Sequence, residues 1–337
     1  MAKETPQRSV GVDVSARWVD VERAATDEAV VRRQWPNTAA GHRQLARWLT
    51  SGGRRARVVL EATGVYSLDL ALALQRTARL EVMVLNPRVS HDFARACGQR
   101  ARTDASAATA LREYAARMPF VAWEAPSTAA LGLRAVMRRV AALVAMRVQE
   151  QNRLHALDAA AALPAVVRVD VREQIQALGR RIARLEREAR AVVESAADLR
   201  AAYAHLRSVR GIGQRSALAL LSELAVVPRQ LSVRQWVAHA GLDPRPIRSG
   251  SSVHPPVRIS KRGNVHLRRH LFMPALVAVR REPAVQRLAT QLAARGKAPL
   301  QVLVAVMRKL LHAIYGMLKT DRDFDGEKFR QSVATAD

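Results

Sequence analysis

The sequence predicts an α/β domain followed by a longer all-α region, and three observations carry that prediction. Short β-branched runs alternate with helically spaced stretches through the first ~120 residues. After Trp123-Glu124-Ala125-Pro126 the strand-like runs give way to long helical periodicity. Alanine and valine dominate the apolar residues and only 4% of the chain is aromatic, a composition that favours closely packed helices over a sheet-only fold.

Ser9-Val10-Gly11-Val12-Asp13-Val14 alternates apolar with small or polar residues, the period of a strand. Trp18 to Glu22 and Val30 to Trp35 continue it as a meander. Gly41 to Leu49 has helical spacing, and Ala56 to Glu61 is a buried strand. Val65 to Arg76 reads as a helix, and Leu80 to Leu85 as a fifth strand ending at Asn86-Pro87. Two further helices follow, the second capped at Thr103-Asp104. A three-strand meander, then helix, strand, helix, strand and helices, is the order of a ribonuclease-H-like domain. Its expected extent is residues 1–126.

Residues 127–205 change character. Val171, Ile175, Leu178, Ile182, Leu185, Ala189 and Val192 are spaced by alternate fours and threes, a heptad seam. Leu133, Val136, Val140 and Leu143 are similarly spaced before Pro164 breaks the pattern. A helical hairpin and a coiled-coil dimerisation arm both satisfy such a seam. Residues 206–325 are expected to form a basic, mostly helical domain, and 326–337 a polar tail.

Lys and Arg number 55 against 29 acidic residues, a formal net charge of +26. That balance marks a polyanion binder. No apolar run of ~18 residues suited to a bilayer is expected, and the start has no signal-peptide core. One cysteine, Cys97, excludes an intrachain disulfide and a cysteine zinc cluster. The expected address is a reducing cytoplasm, at the nucleoid.

Asp13 in the first strand, Glu61 at the end of the buried strand and Asp104 at a helix start converge on one sheet edge in such a fold. Carboxylates gathered there can hold two divalent cations that clamp attacking and leaving oxygens. His266 and His270 lie one helical turn apart, but with no third ligand they suit phosphate or solvent better than a metal.

Val209-Arg210-Gly211-Ile212-Gly213, before the apolar helix Ser216 to Leu224, resembles a helix–hairpin–helix. Gly211 and Gly213 either let backbone N–H groups approach phosphate or simply close a tight helix–helix turn. Ser249, Ser251, Ser252 and Ser260 are candidate hydroxyls among Arg258, Lys261, Arg262, Arg268 and Arg269. Fixed cations around a hydroxyl suit attack on a phosphodiester. Spacing selects none of the four, and Asp243 and His254 do not make a triad on sequence alone.

In this order, Gly11-Val12-Asp13, Leu60-Glu61-Ala62-Thr63-Gly64, Leu85-Asn86-Pro87, Arg102-Thr103-Asp104, Ala240-Gly241-Leu242-Asp243-Pro244-Arg245, Ser249-Gly250-Ser251-Ser252 and Ile259-Ser260-Lys261-Arg262-Gly263-Asn264 carry a specific likeness. The chain resembles the DEDD transposases of the insertion-sequence one-ten family, bridge-RNA-guided recombinases, over residues 8–325. The resemblance implies a RuvC-like domain, a coiled-coil insertion and a C-terminal transposase domain. It implies Ser249 as the nucleophile that joins DNA covalently, with Asp13, Glu61 and Asp104 as Mg²⁺ ligands contributed by a partner subunit. A structured guide RNA would pair with donor and target DNA, and the protein would act as a dimer or tetramer with a shared site. Arg258, Lys261, Arg262, Arg268 and Arg269 are the expected phosphate contacts.

One position departs from the family pattern. Its fourth acidic residue follows the third by three positions, where this chain has Ala107. Losing a carboxylate removes a ligand and a negative charge from a cation site, so impaired activity is expected. An alanine exchanged to arrest the reaction is the favoured origin, and a degenerate natural copy the other. Two rival functions stay open: a metal-dependent junction endonuclease, and a non-catalytic nucleic-acid-binding scaffold.

Overall fold

The computed structural model describes residues 7–25, 27–99, 104–159, 164–246 and 257–329, with the backbone alone at Asp104 and Ala105. They form two compact units, Met1–Ala125 and Pro126–Asp337.

The N-terminal unit is built on a five-stranded sheet. Strands β1 (Arg8–Val14), β2 (Trp18–Ala25) and β3 (Glu28–Pro36) form the antiparallel meander. Helix α1 (Ala39–Leu49) leads to β4 (Ala56–Glu61), and α2 (Leu68–Gln75) to β5 (Leu80–Leu85). The order is β3-β2-β1-β4-β5, with β4 parallel to both β1 and β5. Helices α3 (Pro87–Ala96) and α4 (Asp104–Arg117) complete the unit.

Strand alternation divides the core in two. Val10, Val12, Val14, Val58 and Leu60 pack with Leu45, Leu49, Leu70 and Leu74 of α1 and α2. Val59 and Leu85 pack on the other face with Leu111, Tyr114 and Ala115 of α4. Gly11, Asp13 and Glu61 share that second face by the same alternation. At Gly11 the approach of α4 is so close that a Cβ would lie 2.0 Å from the Ala108 carbonyl oxygen and 2.2 Å from the Arg112 nitrogen. Glycine is the one residue that lets α4 settle there.

A buried carboxylate fixes the same helix from the side. Glu22 is 1% exposed and accepts from Arg112 Nε at 2.7 Å, from Thr109 Oγ1 at 2.9 Å and from Arg32. Burial alone would raise its pKa, but the Arg112, Arg32 and Thr109 hydrogen bonds outweigh that and lower it.

The expected helix over Val65 to Arg76 starts three residues late. Gly64 turns with φ +72°, and the Tyr66 carbonyl accepts from Asn37 Nδ2 at 3.1 Å rather than entering the helix. A polar partner from another element outcompetes the local pattern here.

The C-terminal unit is helical apart from a two-stranded ribbon. Two 31-residue helices, α5 (Thr128–Asp158) and α6 (Ala165–Ser195), pack against each other. Helices α7 (Ala197–Ser208), α8 (Gln214–Leu224) and α9 (Val233–Ala240) precede the ribbon β6 (Pro244–Arg245) and β7 (Arg258–Ile259). Helices α10 (Val265–Arg281), α11 (Pro283–Ala294) and α12 (Pro299–Thr320) follow. One hydrophobic cluster runs from Ala130 to Phe329, so α5 and α6 share a core with the later helices.

The heptad seam is present with one shift. Val171, Leu178, Ile182 and Ala189 are buried, but the last buried position is Val193, with Val192 partly covered. A straight helix drifts relative to a strict heptad, and the buried stripe follows the drift.

The expectation that no stretch is long and apolar enough for a membrane needs correcting. Helix α12 has 22 residues and a window of mean hydropathy 1.3, which meets that criterion by length and composition. Its Val306, Leu310, Leu311 and Ile314 are fully buried within the unit, which explains the apolar content.

Gly11→Ala should destabilise the N-terminal unit by about 1–3 kcal/mol, read as a lower urea midpoint, because α4 must move off β1. Ala108→Gly leaves the approach intact and should cost only the ~1 kcal/mol of a glycine inside a helix.

Candidate functional site

The sheet end comes first. The β1–β4 register pairs Val12 with Leu60, so the next residues, Asp13 and Glu61, are neighbours at the C-terminal ends of adjacent parallel strands. Glu61 is oriented from α3: Ser90, 4% exposed, donates its hydroxyl to Glu61 Oε1. Asp13 Oδ1 accepts from the Val14 backbone nitrogen at 3.1 Å. Helix α4 opens at Asp104, and helical periodicity puts positions 104 and 107 on the face that carries Ala108 and Leu111 onto the sheet. Ala107 itself is half-buried.

Among the described residues no three His, Cys, Asp or Glu side chains group as a metal site. The Asp104 side chain lies outside them, and alanine holds the fourth position. The two carboxylates present are all-oxygen donors, the chemistry a hard divalent cation takes.

The second candidate is in the C-terminal unit. Ser249, Ser251, Ser252 and His254 lie outside the described residues, on the connection between β6 and β7. The chain on either side of it is hydrogen-bonded. Ser260 N donates to the Asp243 carbonyl at 2.9 Å, and Asn264 N to the His239 carbonyl at 2.6 Å. Gly263 has φ +137°, and a Cβ there would fall 2.3 Å from the His239 oxygen. The Ser260 hydroxyl donates to Asp243 Oδ1 and accepts from Arg262 N at 3.2 Å, so this candidate nucleophile is committed to holding the turn.

Beneath the turn lies a charge that sequence reading passed over. Glu223 is fully buried on α8 and accepts from Arg138 Nε at 2.9 Å, Arg138 Nη2 at 3.2 Å and Asn264 Nδ2 at 2.6 Å. Arg134 Nε stands 3.5 Å away. Burial alone would raise the Glu223 pKa, and the Arg138 and Asn264 hydrogen bonds bring it down instead. Asn264 Oδ1 also caps α10, accepting from His266 N and Leu267 N. The signal was there: one acid in an apolar helix, and two arginines four apart on α5.

The expected cations separate. Arg258 and Lys261 line a groove of about 1340 Å³ with Arg287 of α11, Lys297, and Arg308 and Lys309 of α12. None of its described lining residues is acidic, and its remaining wall is largely aliphatic, including Leu288, Leu292 and Val304. His312 also lines it, and burial, then Arg308 and Lys309, push its pKa down to about 4, so it adds no positive charge near neutrality. Arg262 and Arg269 are exposed outside the groove.

Arg268 is different: its Nη1 donates to the Ala240 carbonyl at 2.9 Å and closes the end of α9. Its expected phosphate role meets a structural use of the same group. Gly211 is likewise accounted for by packing, since a Cβ there would meet Ala278 N of α10 at 2.8 Å. A Cβ at Gly213 would meet nothing within 4 Å, and this residue heads α8. Burial, foremost, lowers the pKa of both His266 and His270, which keeps them uncharged near neutrality.

A groove of cations with no acid binds phosphate chains with strong salt dependence. Arg258→Ala and Arg308→Ala should each reduce the slope of log K against log salt by roughly 0.7–0.9 on nucleic acid. Arg268→Ala should leave the slope unchanged and lower the unfolding midpoint.

Comparison with known proteins agrees with this layout. Residues 10–158 match the sequence model of the IS110-type DEDD transposases, described as a transposase. Residues 203–290 match the model described as the transposase IS116/IS110/IS902 family. A pilin gene-inverting protein of Moraxella bovis is 28% identical over 86% of this chain and 89% of its own. That of Moraxella lacunata is 26% identical over 94% and 97%. An uncharacterised insertion element IS110 protein of Streptomyces coelicolor is 29% identical over 34% of this chain and 28% of its own. With one match spanning the carboxylates of the sheet and the other the ribbon and its turn, the chain belongs to the IS110 family of DEDD transposases.

Proposed function

We propose that this protein is an RNA-guided DNA recombinase that moves an insertion sequence by strand exchange through a covalent phosphoserine–DNA intermediate. The observation that carries the DNA chemistry is the pairing of Asp13 and Glu61 at neighbouring strand ends beneath α4. That arrangement supports a RuvC-like, ribonuclease-H-type reading of the N-terminal unit. The Moraxella relatives are named for inverting a pilin gene, and inversion requires DNA to be cut and rejoined.

In this reading Ser249 Oγ attacks a phosphodiester, its bond to phosphorus forms, and one bridging oxygen leaves with a proton. The bond energy stays in the phosphoserine, so a hydroxyl from a second strand can displace the serine and reseal the DNA. Arg258, Lys261 and the groove behind them hold the phosphates of the strand. Asp13 and Glu61, with Asp104, would hold Mg²⁺. A cation held there would neutralise charge on the attacking and leaving oxygens. The hydroxyl of Ser90 keeps the Glu61 carboxylate turned to that place.

The carboxylates are supplied by one subunit and the serine by another, in a dimer or tetramer with the paired α5–α6 helices as the means of assembly. The guide RNA rests on the family resemblance and on a chain rich in arginine and poor in aromatic base platforms. Ala107 favours one second reading for this chain as it stands: a scaffold that binds nucleic acid without cutting it.

A denaturing gel for protein–DNA adducts tests the reading. Labelled donor and target DNA, RNA from the element's flank and Mg²⁺ are given to this chain, to Ala107→Asp, and to Ala107→Asp with Ser249→Ala. The adduct should strengthen with the restored carboxylate and vanish without Ser249. Cut DNA with no adduct would make the protein a junction nuclease, and bound but uncut DNA a scaffold.

A further inference from the structure

The sheet end that carries Asp13 and Glu61 has a second feature, on its opposite face. A cavity of about 420 Å³ opens there between the heads of α1 and α2, and its lining includes Ala16, Asn37, His42, Tyr66 and Asp69. Both carboxylate strands lead into it. Ala16 is three residues beyond Asp13 and Tyr66 five beyond Glu61.

The wall is already built. Asn37 Nδ2 donates to the Ser15 carbonyl at 2.9 Å and to the Tyr66 carbonyl at 3.1 Å. Its Oδ1 therefore faces the His42 ring, 2.7 Å from Nε2. An amide oxygen only accepts, so His42 carries its proton on Nε2 and presents an acceptor at Nδ1. Burial lowers the His42 pKa more than Asp69 raises it, which keeps the ring neutral. This one amide thus ties the β1–β2 turn, the head of α1 and the loop after Glu61 into a single rim.

Two side chains of the rim reach into solvent. Tyr66 is 53% exposed and Val65 78% exposed, on a turn whose Gly64 has φ +72°. An aromatic ring held on a fixed backbone and left half in water is a stacking surface. Asp69 offers a carboxylate acceptor, and Arg43 in the same lining a donor. The Tyr66 ring, the Asp69 acceptor and the Arg43 donor suit a flat heteroaromatic ring that carries both N–H and carbonyl groups. A volume of 420 Å³ is within the ~300–1,000 Å³ of small-molecule pockets and accommodates one base with its sugar.

We propose that this cavity receives one unpaired base of the DNA strand whose backbone lies at the Asp13–Glu61 edge, stacked on Tyr66 and hydrogen-bonded by Asp69. The assignment rests on the proposed DNA function for the location of that strand. A base drawn from the stack fixes the strand's register at the carboxylates, and it costs least where the DNA is already unpaired.

Two probes test it on the full chain: an oligothymidylate of about twenty nucleotides and an abasic strand of equal length. Both carry the same charge, so groove binding contributes equally to each. The chain should bind the oligothymidylate about tenfold more tightly, the effect of one stacked base. Tyr66→Ala should bring that ratio near one with abasic affinity unchanged, and Tyr66→Phe should keep it. Photocrosslinking with 5-iodouracil in place of one thymine should mark Tyr66. Thermal melts that match wild type exclude unfolding of the exposed-site variants. An unchanged ratio in Tyr66→Ala, or crosslinks confined to residues 126–329, would overturn the proposal. Neither readout needs strand breakage, so failure of the recombinase reading appears separately, in the adduct gel.

Discussion

The approach of α4 to β1 at Gly11 is the constraint on which the N-terminal unit depends. A helix lies this near a strand only where no Cβ intervenes, and a side chain there would lie 2.0 Å from the Ala108 oxygen. The contact sets the height of α4 over the sheet. Glu22 sets its rotation, through Arg112 and Thr109 one face round. With height and rotation fixed, position 107 lies on the helix face that carries Ala108 onto the sheet. The helix above the strand-end carboxylates thus owes its setting to a glycine and a buried acid.

The C-terminal unit handles its charge by segregation. Acids are few in this chain, and Glu223 is spent inside, where it offsets Arg138 and Arg134 and holds Asn264. A buried carboxylate is tolerable there only because three partners return what desolvation costs. Asp243 is used in the same way on Ser260. The outer groove is left with Arg258, Lys261, Arg287 and Arg308 and no acid among its described lining. Part of the chain's net charge of +26 is thereby left unopposed where a polyanion can reach it.

The order of strands and helices was legible because each buried strand is a clean β-branched run, as in Ala56 to Glu61. The start of α2 was not, since Val65 and Tyr66 fit a helix locally and a distant amide, Asn37, decides otherwise. Asp13 and Glu61 could be paired in advance, because parallel strands bring their ends together in any register of that kind. Arg268 and Gly211 could not be told from ligand-binding residues, because their partners, the Ala240 carbonyl and Ala278, are far along the chain. Glu223 stood out as the one acid of an apolar helix, but its partners Arg138 and Asn264 lie far along the chain, so its ion pair could not be read locally.

The most direct test of the sheet end as the metal-dependent centre is cleavage of the protein by its own bound cation. Fe²⁺ with ascorbate would replace Mg²⁺ in the Ala107→Asp variant, and hydroxyl radicals cut the backbone beside the ion. Breaks are expected near residues 13–16, 61–64 and 104–108, and should disappear with Asp13→Asn. Breaks confined to residues 126–329, or unaffected by that change, would contradict the placement of the centre on this sheet.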